Sequence, residues 1–179
     1  MLNVRFLVVT LITCLAGAAT AQTSASKPQA EKPTAQGAAA APKHVIVEPD
    51  AITWGPGPAS LPPGAQMAVL DGDPSKAGVP FVIRAKLPDG YRVAPHFHPT
   101  AENVAVLSGS FLVGMGDTFT ESSMTTLAAG GFAKMPKGMH HYAMSKGETV
   151  IQVHGIGPFA ITYVNPSDDP RAKAKTSTK

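Results

Sequence analysis

Short apolar runs of four to eight residues alternate with turns rich in Gly, Pro, Asp and Ser across the central part of the chain. None of these runs repeats its apolar positions every three or four residues, as an amphipathic helix would. Runs of this length, separated by turn residues about every ten positions, are typical of antiparallel strands. The pattern predicts strands at residues 66–70, 81–87, 103–107, 111–115, 131–135, 140–144, 149–154 and 159–164.

Antiparallel strands at this spacing predict an all-β fold that closes into a barrel or jelly roll, because closure removes exposed sheet edges. The 17 glycines and 17 prolines suit a chain of short strands and turns. With 44% hydrophobic and 15% charged residues, the chain has enough apolar side chains for one core. We therefore expect one domain with additional segments at its ends.

The first 21 residues have the pattern of a secretory signal peptide. Arg5 precedes an apolar run at 6–18, and Ala-Thr-Ala follows at 19–21. A positive residue, an apolar run and an A-x-A site predict cleavage after Ala21. Since the run is too short to span a bilayer comfortably, we expect a periplasmic or secreted protein without stable membrane insertion.

The segments on either side of the barrel lack the apolar residues that a core needs. Residues 22–42 are rich in Ala, Pro, Lys and Gln, which predicts a disordered linker. Residues 171–179 predict a disordered basic tail, so the barrel domain spans 43–170. Cys14 is the only cysteine and would leave with the signal peptide, which excludes a disulfide or thiolate site. The net charge of +3 gives no reason to expect a nucleic-acid partner.

Two histidines one residue apart suggest a metal site in the stretch GYRVAPHFHPTAEN, which contains His96, His98 and Glu102. Side chains two residues apart on a strand share a face, so both imidazoles point to one side. A bend at the intervening proline would return Glu102 toward them. Because three ligands from one strand cannot surround an ion, another must come from a distant strand. The stretch GGFAKMPKGMHHYAM offers His140 and His141.

These two stretches resemble the two sequence motifs of the cupin superfamily. The first motif is matched by Gly90, His96, His98, Glu102 and Gly109, and the second by Gly130, Pro136, Gly138, His141 and Ser145. The family usually has Asn at the position of Ser145, which is normally structural. The resemblance is to small single-domain bacterial cupins, and it implies a single antiparallel cupin barrel of the jelly-roll type.

The resemblance also implies that His96, His98, Glu102 and His141 hold one divalent metal ion per chain. Three imidazoles and a carboxylate suit iron, manganese, zinc or nickel, and they leave positions open for other ligands. Strand alternation turns His140 away from His141, although a slip of one residue would exchange the two.

Cupins include dioxygenases, isomerases and lyases of small organic molecules, so the resemblance implies a metalloenzyme of one of these types. The alternative is a non-catalytic cupin that binds or senses a small ligand. A homodimer is expected by analogy with the family.

Three further polar residues are candidates for catalysis: Gln152, His154 and Tyr142. Gln152 and His154 share a face of an otherwise apolar strand, and polar groups inside a barrel must be hydrogen-bonded or functional. His154 could shuttle protons or orient a metal ligand. The alternative is that these groups face solvent or satisfy one another, and Arg84 could clamp a carboxylate or lie on the surface. An acid or base facing inward would favour an enzyme, whereas an aliphatic lining would favour a binding protein.

Overall fold

The computed structural model describes residues 44–172, and nine strands form one curled antiparallel sheet in this range. The strands are β1 Gly55–Pro56, β2 Gln66–Gly72, β3 Pro80–Leu87, β4 Arg92–Phe97, β5 Glu102–Met115, β6 Thr125–Ala128, β7 Phe132–Met135, β8 His141–Ile156 and β9 Thr162–Tyr163. Short 3-10 helices lie at Pro49–Ala51, Glu121–Ser123 and Pro166–Asp168. The predicted all-β antiparallel barrel is confirmed.

The predicted signal peptide and linker lie outside the described residues, as do residues 173–179 of the predicted tail. The first two residues of that tail, 171 and 172, form a helical turn with Pro170. Arg171 pairs there with Asp169 at 2.6 Å. No helix in the range 44–172 is long and apolar enough to cross a membrane.

The two longest strands, β5 and β8, pair with each other along most of their length. They pair from Asn103 opposite His154 to Met115 opposite His141. The sequence predicted two strands in each of these segments, but the turn residues between them bend the strands without ending them. At Gly109 the backbone has a φ of 76°, and a Cβ there would lie 2.4 Å from the Glu148 carbonyl oxygen. This close approach requires glycine.

Each long strand changes its second neighbour halfway along, which closes the barrel. The first part of β8 pairs with β4, and its second part pairs with β3. In the same way, β5 pairs with β7 near its start and with β6 near its end. Strands β1 and β6 were not predicted, and β4 was expected only as the strand that carries the two histidines. The strand predicted at 159–164 is reduced to Thr162–Tyr163.

Alternation along β3 and β8 separates the inside of the barrel from the outside. On β3, Phe81, Ile83, Ala85 and Leu87 are buried, and the residues between them are only partly buried. On β8, Ile151 and Val153 are buried opposite them. Side chains two apart share a face of a strand, so these residues line the interior.

Candidate metal centre

A β-bulge in β4 turns His96 into the barrel. Val93 pairs with Ala143 and His96 pairs with His141, so β4 spans three positions where β8 spans two. One extra residue in a strand reverses the facing of the residues that follow it. Val93 and His96 are therefore both buried and inward-facing. Pro95 lies in the bulge, where the missing N–H of proline is tolerated.

The pairing of β4 with β8 places two of the histidines side by side. His141 is the first residue of β8 and is the register partner of His96. Their ring centroids are 4.2 Å apart, and both side chains are buried. The sheet register alone thus joins two ligand candidates that are 45 positions apart in the sequence.

His98 and Glu102 lie on either side of the turn that follows β4. His98 comes directly after β4, and Glu102 is the first residue of β5. The expectation that one bent strand carries all three candidates is therefore wrong for Glu102. A break between the strands, at residues 98–101, returns the carboxylate to the histidines.

The three histidines converge at one point, and Glu102 lies beside two of them. One ring nitrogen from each of His96, His98 and His141 lies within 4.8 Å of the other two. The Glu102 Oε2 atom is 3.2 Å from Nε2 of His141 and 3.5 Å from Nε2 of His98. All four residues are at least nine-tenths buried. The three histidines could hold a metal ion.

Backbone carbonyls fix the orientation of all three imidazoles. Nδ1 of His96 bonds the Ala94 carbonyl at 2.8 Å. Nδ1 of His98 bonds the Ala160 carbonyl at 2.8 Å, and Nδ1 of His141 bonds the Met139 carbonyl at 2.9 Å. Since a carbonyl oxygen only accepts, each Nδ1 donates its proton and each neutral ring keeps a lone pair on Nε2. This is the tautomer that binds a metal through Nε2.

The contacts within the cluster fit a bound cation. Nε2 of His98 is buried and has no hydrogen-bond partner among the described residues. A neutral His141 turns a lone pair toward the Glu102 carboxylate at 3.2 Å. Two acceptors at this distance require a positive charge between them, which a proton or a metal ion supplies. Three imidazoles and one carboxylate are also the donor set that divalent transition metals prefer.

The local electrostatics favour a neutral His96 imidazole and an ionised Glu102 carboxylate. Burial lowers the pKa of His96 to about 3, and the neighbouring His141 and His98 lower it as well. Burial alone would raise the pKa of Glu102, but the imidazoles of His141 and His98 beside the carboxylate outweigh burial and lower the pKa to about 2. The ionised Glu102 carboxylate therefore attracts a cation.

The cluster borders a cavity of about 460 Å³ inside the barrel. This volume lies within the range of small-molecule sites. Most of the lining side chains are aliphatic or aromatic, among them Ile83, Leu87, Phe111, Ile151 and Val153. A ligand held here would contact the histidine and glutamate cluster at one end and apolar side chains elsewhere.

The irregular segment before β2 covers part of the cavity, and two tyrosines hold it in place. Pro56, Pro58, Ser60 and Leu61 all line the cavity; we refer to residues 56–61 as the strap. The Tyr163 hydroxyl donates to the Ser60 carbonyl at 2.8 Å. The Tyr91 hydroxyl donates to the carbonyl of Pro62, just after the strap.

Two of the predicted catalytic residues, Gln152 and His154, lie on the outer face of β8. They alternate with Ile151 and Val153, which line the cavity. Gln152 accepts a hydrogen bond from Arg84 Nε at 3.3 Å, and these two residues are register partners. The expectation that Gln152 and His154 line the cavity is therefore wrong, and Arg84 does not reach the cavity either.

The third predicted catalytic residue, Tyr142, is buried but does not line the cavity. Its neighbours on β8, His141 and Ala143, face the cavity, so Tyr142 faces the opposite side. Its hydroxyl donates to the Thr120 carbonyl at 3.1 Å, and its ring packs 5.0 Å from Phe119. These contacts give Tyr142 a packing role.

The two adjacent histidines have different partners. His141 joins the cluster, whereas Nδ1 of His140 lies 2.6 Å from Asp117 Oδ1 at the surface. His140 also stacks on Phe97 with ring centroids 4.9 Å apart. The structure thus keeps the register in which His141, and not His140, faces the interior.

One residue at the site was not identified from the sequence. Phe159 stacks on His98 with centroids 4.4 Å apart and lines the cavity. It lies in the loop after β8, whereas the sequence placed it in the predicted strand 159–164 with nothing to mark it as a site residue. Ser145, at the position where cupins usually have Asn, accepts a hydrogen bond from the Tyr91 amide and donates to the Pro88 carbonyl.

Comparisons with known proteins identify related sequences and folds. A family model described as "Domain of unknown function (DUF4437)" matches residues 16–162. No curated protein shows significant similarity to the sequence.

Three solved structures illustrate the likeness. A candidate acetylacetone dioxygenase from Methylibium petroleiphilum PM1 has 21% identity and a TM-score of 0.55, over 72% of this chain and 85% of that one. The polyketide cyclase RemF from Streptomyces resistomycificus has 18% identity and a TM-score of 0.55, over 74% and 94%. An RmlC-like cupin from Shewanella frigidimarina NCIMB 400 has 14% identity and a TM-score of 0.49, over 65% and 94%. At these identities the likeness concerns the fold alone.

Proposed function

Because this chain belongs to the DUF4437 family and has the cupin fold, we propose that it is a mononuclear metalloenzyme of the dioxygenase type. Its substrate would be a small organic molecule. One observation carries the proposal: three histidine Nε2 lone pairs and the Glu102 carboxylate meet at the border of an apolar cavity. That arrangement suits a metal ion with positions left open for a substrate and dioxygen.

The lining of the cavity favours oxygenation over isomerisation or elimination. Isomerases and lyases move protons, and this usually requires a side-chain acid or base close to the substrate. Apart from the four candidate ligands, the polar side chains of the lining are Ser60, Ser75 and Tyr91. The Tyr91 hydroxyl is already bonded to Pro62, and burial raises its pKa. A reaction that takes place at the metal ion does not require an acid or base among the lining side chains.

The protein's own groups would have separate tasks. The three histidines and Glu102 would hold the ion, and a redox-active ion such as iron would mediate electron transfer from the substrate to dioxygen. The apolar walls would hold the body of the substrate and exclude water. The strap would limit how far the substrate extends from the ion. The similarity in fold to a candidate acetylacetone dioxygenase supports this proposal without fixing the substrate.

A second candidate function is metal-dependent ligand binding without turnover. Gln152, His154 and Tyr142 all face away from the cavity, so no side chain outside the ligand set is placed as a free acid or base among the lining residues. This lining is the one expected for a cupin that binds or senses a small molecule.

Metal loading followed by oxygen measurements would separate the two candidates. We would load the purified protein with iron, add a panel of enolisable diketones and phenols, and record dioxygen uptake and ¹⁸O incorporation into products. Iron-dependent uptake with labelled product supports the enzyme. Tight binding of a panel member without uptake supports the binding protein. Failure to bind any divalent metal at about one ion per chain would overturn both.

We also propose that the mature protein is periplasmic or secreted, on the strength of Arg5, the apolar run at 6–18 and the Ala-Thr-Ala at 19–21. Amino-terminal sequencing of the protein recovered from periplasm or medium tests this. A chain that begins at Gln22 supports the proposal, and a chain that retains Met1 and stays in the cytoplasm contradicts it.

A further inference from the structure

We infer that the cavity selects ligands with an uncharged apolar body and a single weakly acidic pair of oxygen donors. Enols, diketones, catechols and hydroxamic acids are examples of this class. The inference rests on the proposed metal site, and it adds that a second charged group on the ligand is rejected.

The walls of the cavity contain no cation that could pair with an anionic ligand. Among the lining residues there is no Lys, Arg, Asn or Gln, and the only carboxylate is Glu102 in the ligand cluster. Tyr91 has its hydroxyl bonded to the Pro62 carbonyl. Only the serines Ser60 and Ser75 offer further hydroxyls, and both belong to loop segments.

The strands that form the walls carry their basic side chains on the outside. Arg84 and Lys86 alternate with Ile83, Ala85 and Leu87 on β3, and only the latter three line the cavity. Arg84 bonds Gln152 on the outer face, and the Lys86 ammonium lies 4.8 Å above the Trp54 ring.

Strand β4 shows the same arrangement. Arg92 precedes the inward-facing Val93 and pairs with Glu121 at 2.9 Å. Both partners are more than half exposed. The basic side chains of β3 and β4 thus lie outside the cavity.

This distribution of charge determines which ligands bind well. A carboxylate or phosphate in the apolar part of the cavity would lose its hydration and gain no partner, which is strongly unfavourable. An alkyl or aryl group in the same place would instead gain from the burial of its apolar surface. The cavity therefore discriminates between ligands that share a metal-binding group and differ only in the charge at the far end.

The charge of the cluster points to the head group of the ligand. Histidines bind a metal ion as neutral ligands and Glu102 would bind it as a carboxylate of charge −1, so a divalent ion would bring the total to +1. A head group that loses one proton on binding would neutralise this charge. Because a net charge is unfavourable in an apolar cavity, a weakly acidic bidentate group is the best match.

A matched pair of hydroxamic acids tests the inference directly. Octanohydroxamic acid and its ω-carboxylate analogue have the same head and chain length, and they differ only in a terminal methyl or carboxylate. Acetohydroxamic acid provides the head alone. Binding of each compound to the metal-loaded protein and to the metal-free protein would be measured by titration calorimetry at pH 7.

We expect octanohydroxamic acid to bind the metal-loaded protein at least about tenfold more tightly than acetohydroxamic acid, because its chain is buried. We also expect it to bind at least about tenfold more tightly than the carboxylate analogue. Equal affinities for the octanoyl compound and its carboxylate analogue would overturn the inference and leave the metal site intact. Failure of all three compounds to bind better with metal than without it would overturn the proposed metal site itself.

A pair of variants makes the test specific to the cavity wall. Met67 lines the cavity from β2 and is only partly buried, so the Met67→Arg substitution adds a cation at a position that tolerates a long side chain. Val82 lies on β3 between the inward-facing Phe81 and Ile83, and Val82→Arg is the control on the outer face. We expect Met67→Arg to improve binding of the carboxylate analogue at least about fivefold relative to octanohydroxamic acid. An equal change in Val82→Arg, or none in Met67→Arg with native folding by circular dichroism, would contradict the inference.

Discussion

His98 is held from two directions by adjacent residues of one loop: its ring stacks on Phe159 at 4.4 Å, and its Nδ1 donates to the carbonyl of Ala160 at 2.8 Å. The stack fixes the plane of the imidazole, and the hydrogen bond fixes its rotation and its tautomer. Phe159 also packs 5.1 Å from Phe81 of β3, which anchors the loop to the barrel. The orientation of this ligand candidate thus depends on a loop more than 60 residues away in the sequence.

Replacing Phe159 with Ala should weaken metal binding while leaving the four candidate ligands in place. Residues that orient a metal ligand typically change metal affinity by about 10–100-fold, and we expect a loss of about tenfold. Competition with a fluorescent chelator would measure the affinity. Phe119→Ala is the control, because Phe119 packs on Tyr142 outside the cavity. Equal metal affinities in the two variants would show that the stack does not orient His98.

The neighbouring histidines offer a second matched pair. We expect the His141→Ala substitution to lower the metal affinity at least about 100-fold, since it removes one of the candidate ligands. His140→Ala should retain wild-type metal content, because His140 pairs with Asp117 at the surface. Metal per chain after gel filtration, measured by mass spectrometry, checks both. Loss of metal in His140→Ala with retention in His141→Ala would reverse the assignment.

The metal-free protein should lose stability as the pH falls from 7 to 5. The pKa of His96 drops from its ordinary 6.5 to about 3 in the folded state, because burial disfavours the imidazolium. The unfolded chain therefore binds a proton between these values that the folded chain does not, so acid favours unfolding. For this group alone we expect a loss of about 2 kcal/mol from pH 7 to pH 5.

Urea unfolding at several pH values, with the metal removed, would measure this dependence. The His96→Gln variant lacks the titrating group, so its unfolding free energy should fall less over the same range. An identical pH dependence in the wild type and in the variant would rule out His96 as the source.

Gly114→Ala should destabilise the barrel without affecting the metal site. Gly114 on β5 is the register partner of Tyr142, and a Cβ there would lie 2.2 Å from the tyrosine ring. Such crowding usually costs about 1–3 kcal/mol. The substitution should cost much less in a Tyr142→Leu background, which removes the ring. A double-mutant cycle by urea unfolding would test the coupling, and additive effects would contradict it.

The sequence was sufficient to predict the fold class and the grouping of the ligand candidates. Alternating apolar runs indicated strands, the spacing of His96, His98 and Glu102 suggested a metal site, and the resemblance to cupins added His141. The direction in which His96 faces was not predictable in this way. It depends on a bulge at Ala94 and Pro95, which only the pairing with β8 reveals.

The error at Gln152 and His154 has a different cause. Alternation correctly placed these two residues on one face of β8, but it did not say which face was inside. The neighbouring residues show which face is inside, since the apolar Ile151 and Val153 line the cavity. Where a strand carries apolar residues at alternate positions, its polar residues belong outside unless a partner within the barrel receives them.

The strap has a further consequence for the range of ligands that the protein accepts. The barrel walls are fixed by strand pairing, but one boundary of the cavity is a loop held through the hydroxyls of Tyr91 and Tyr163. Each of these bonds joins a tyrosine to a single backbone carbonyl, so replacing either residue with Phe would remove one of the two side-chain bonds to this segment while leaving the strands paired. The size limit on ligands is therefore set separately from the metal chemistry, and relatives with the same four ligand candidates could differ in substrate size through this loop alone.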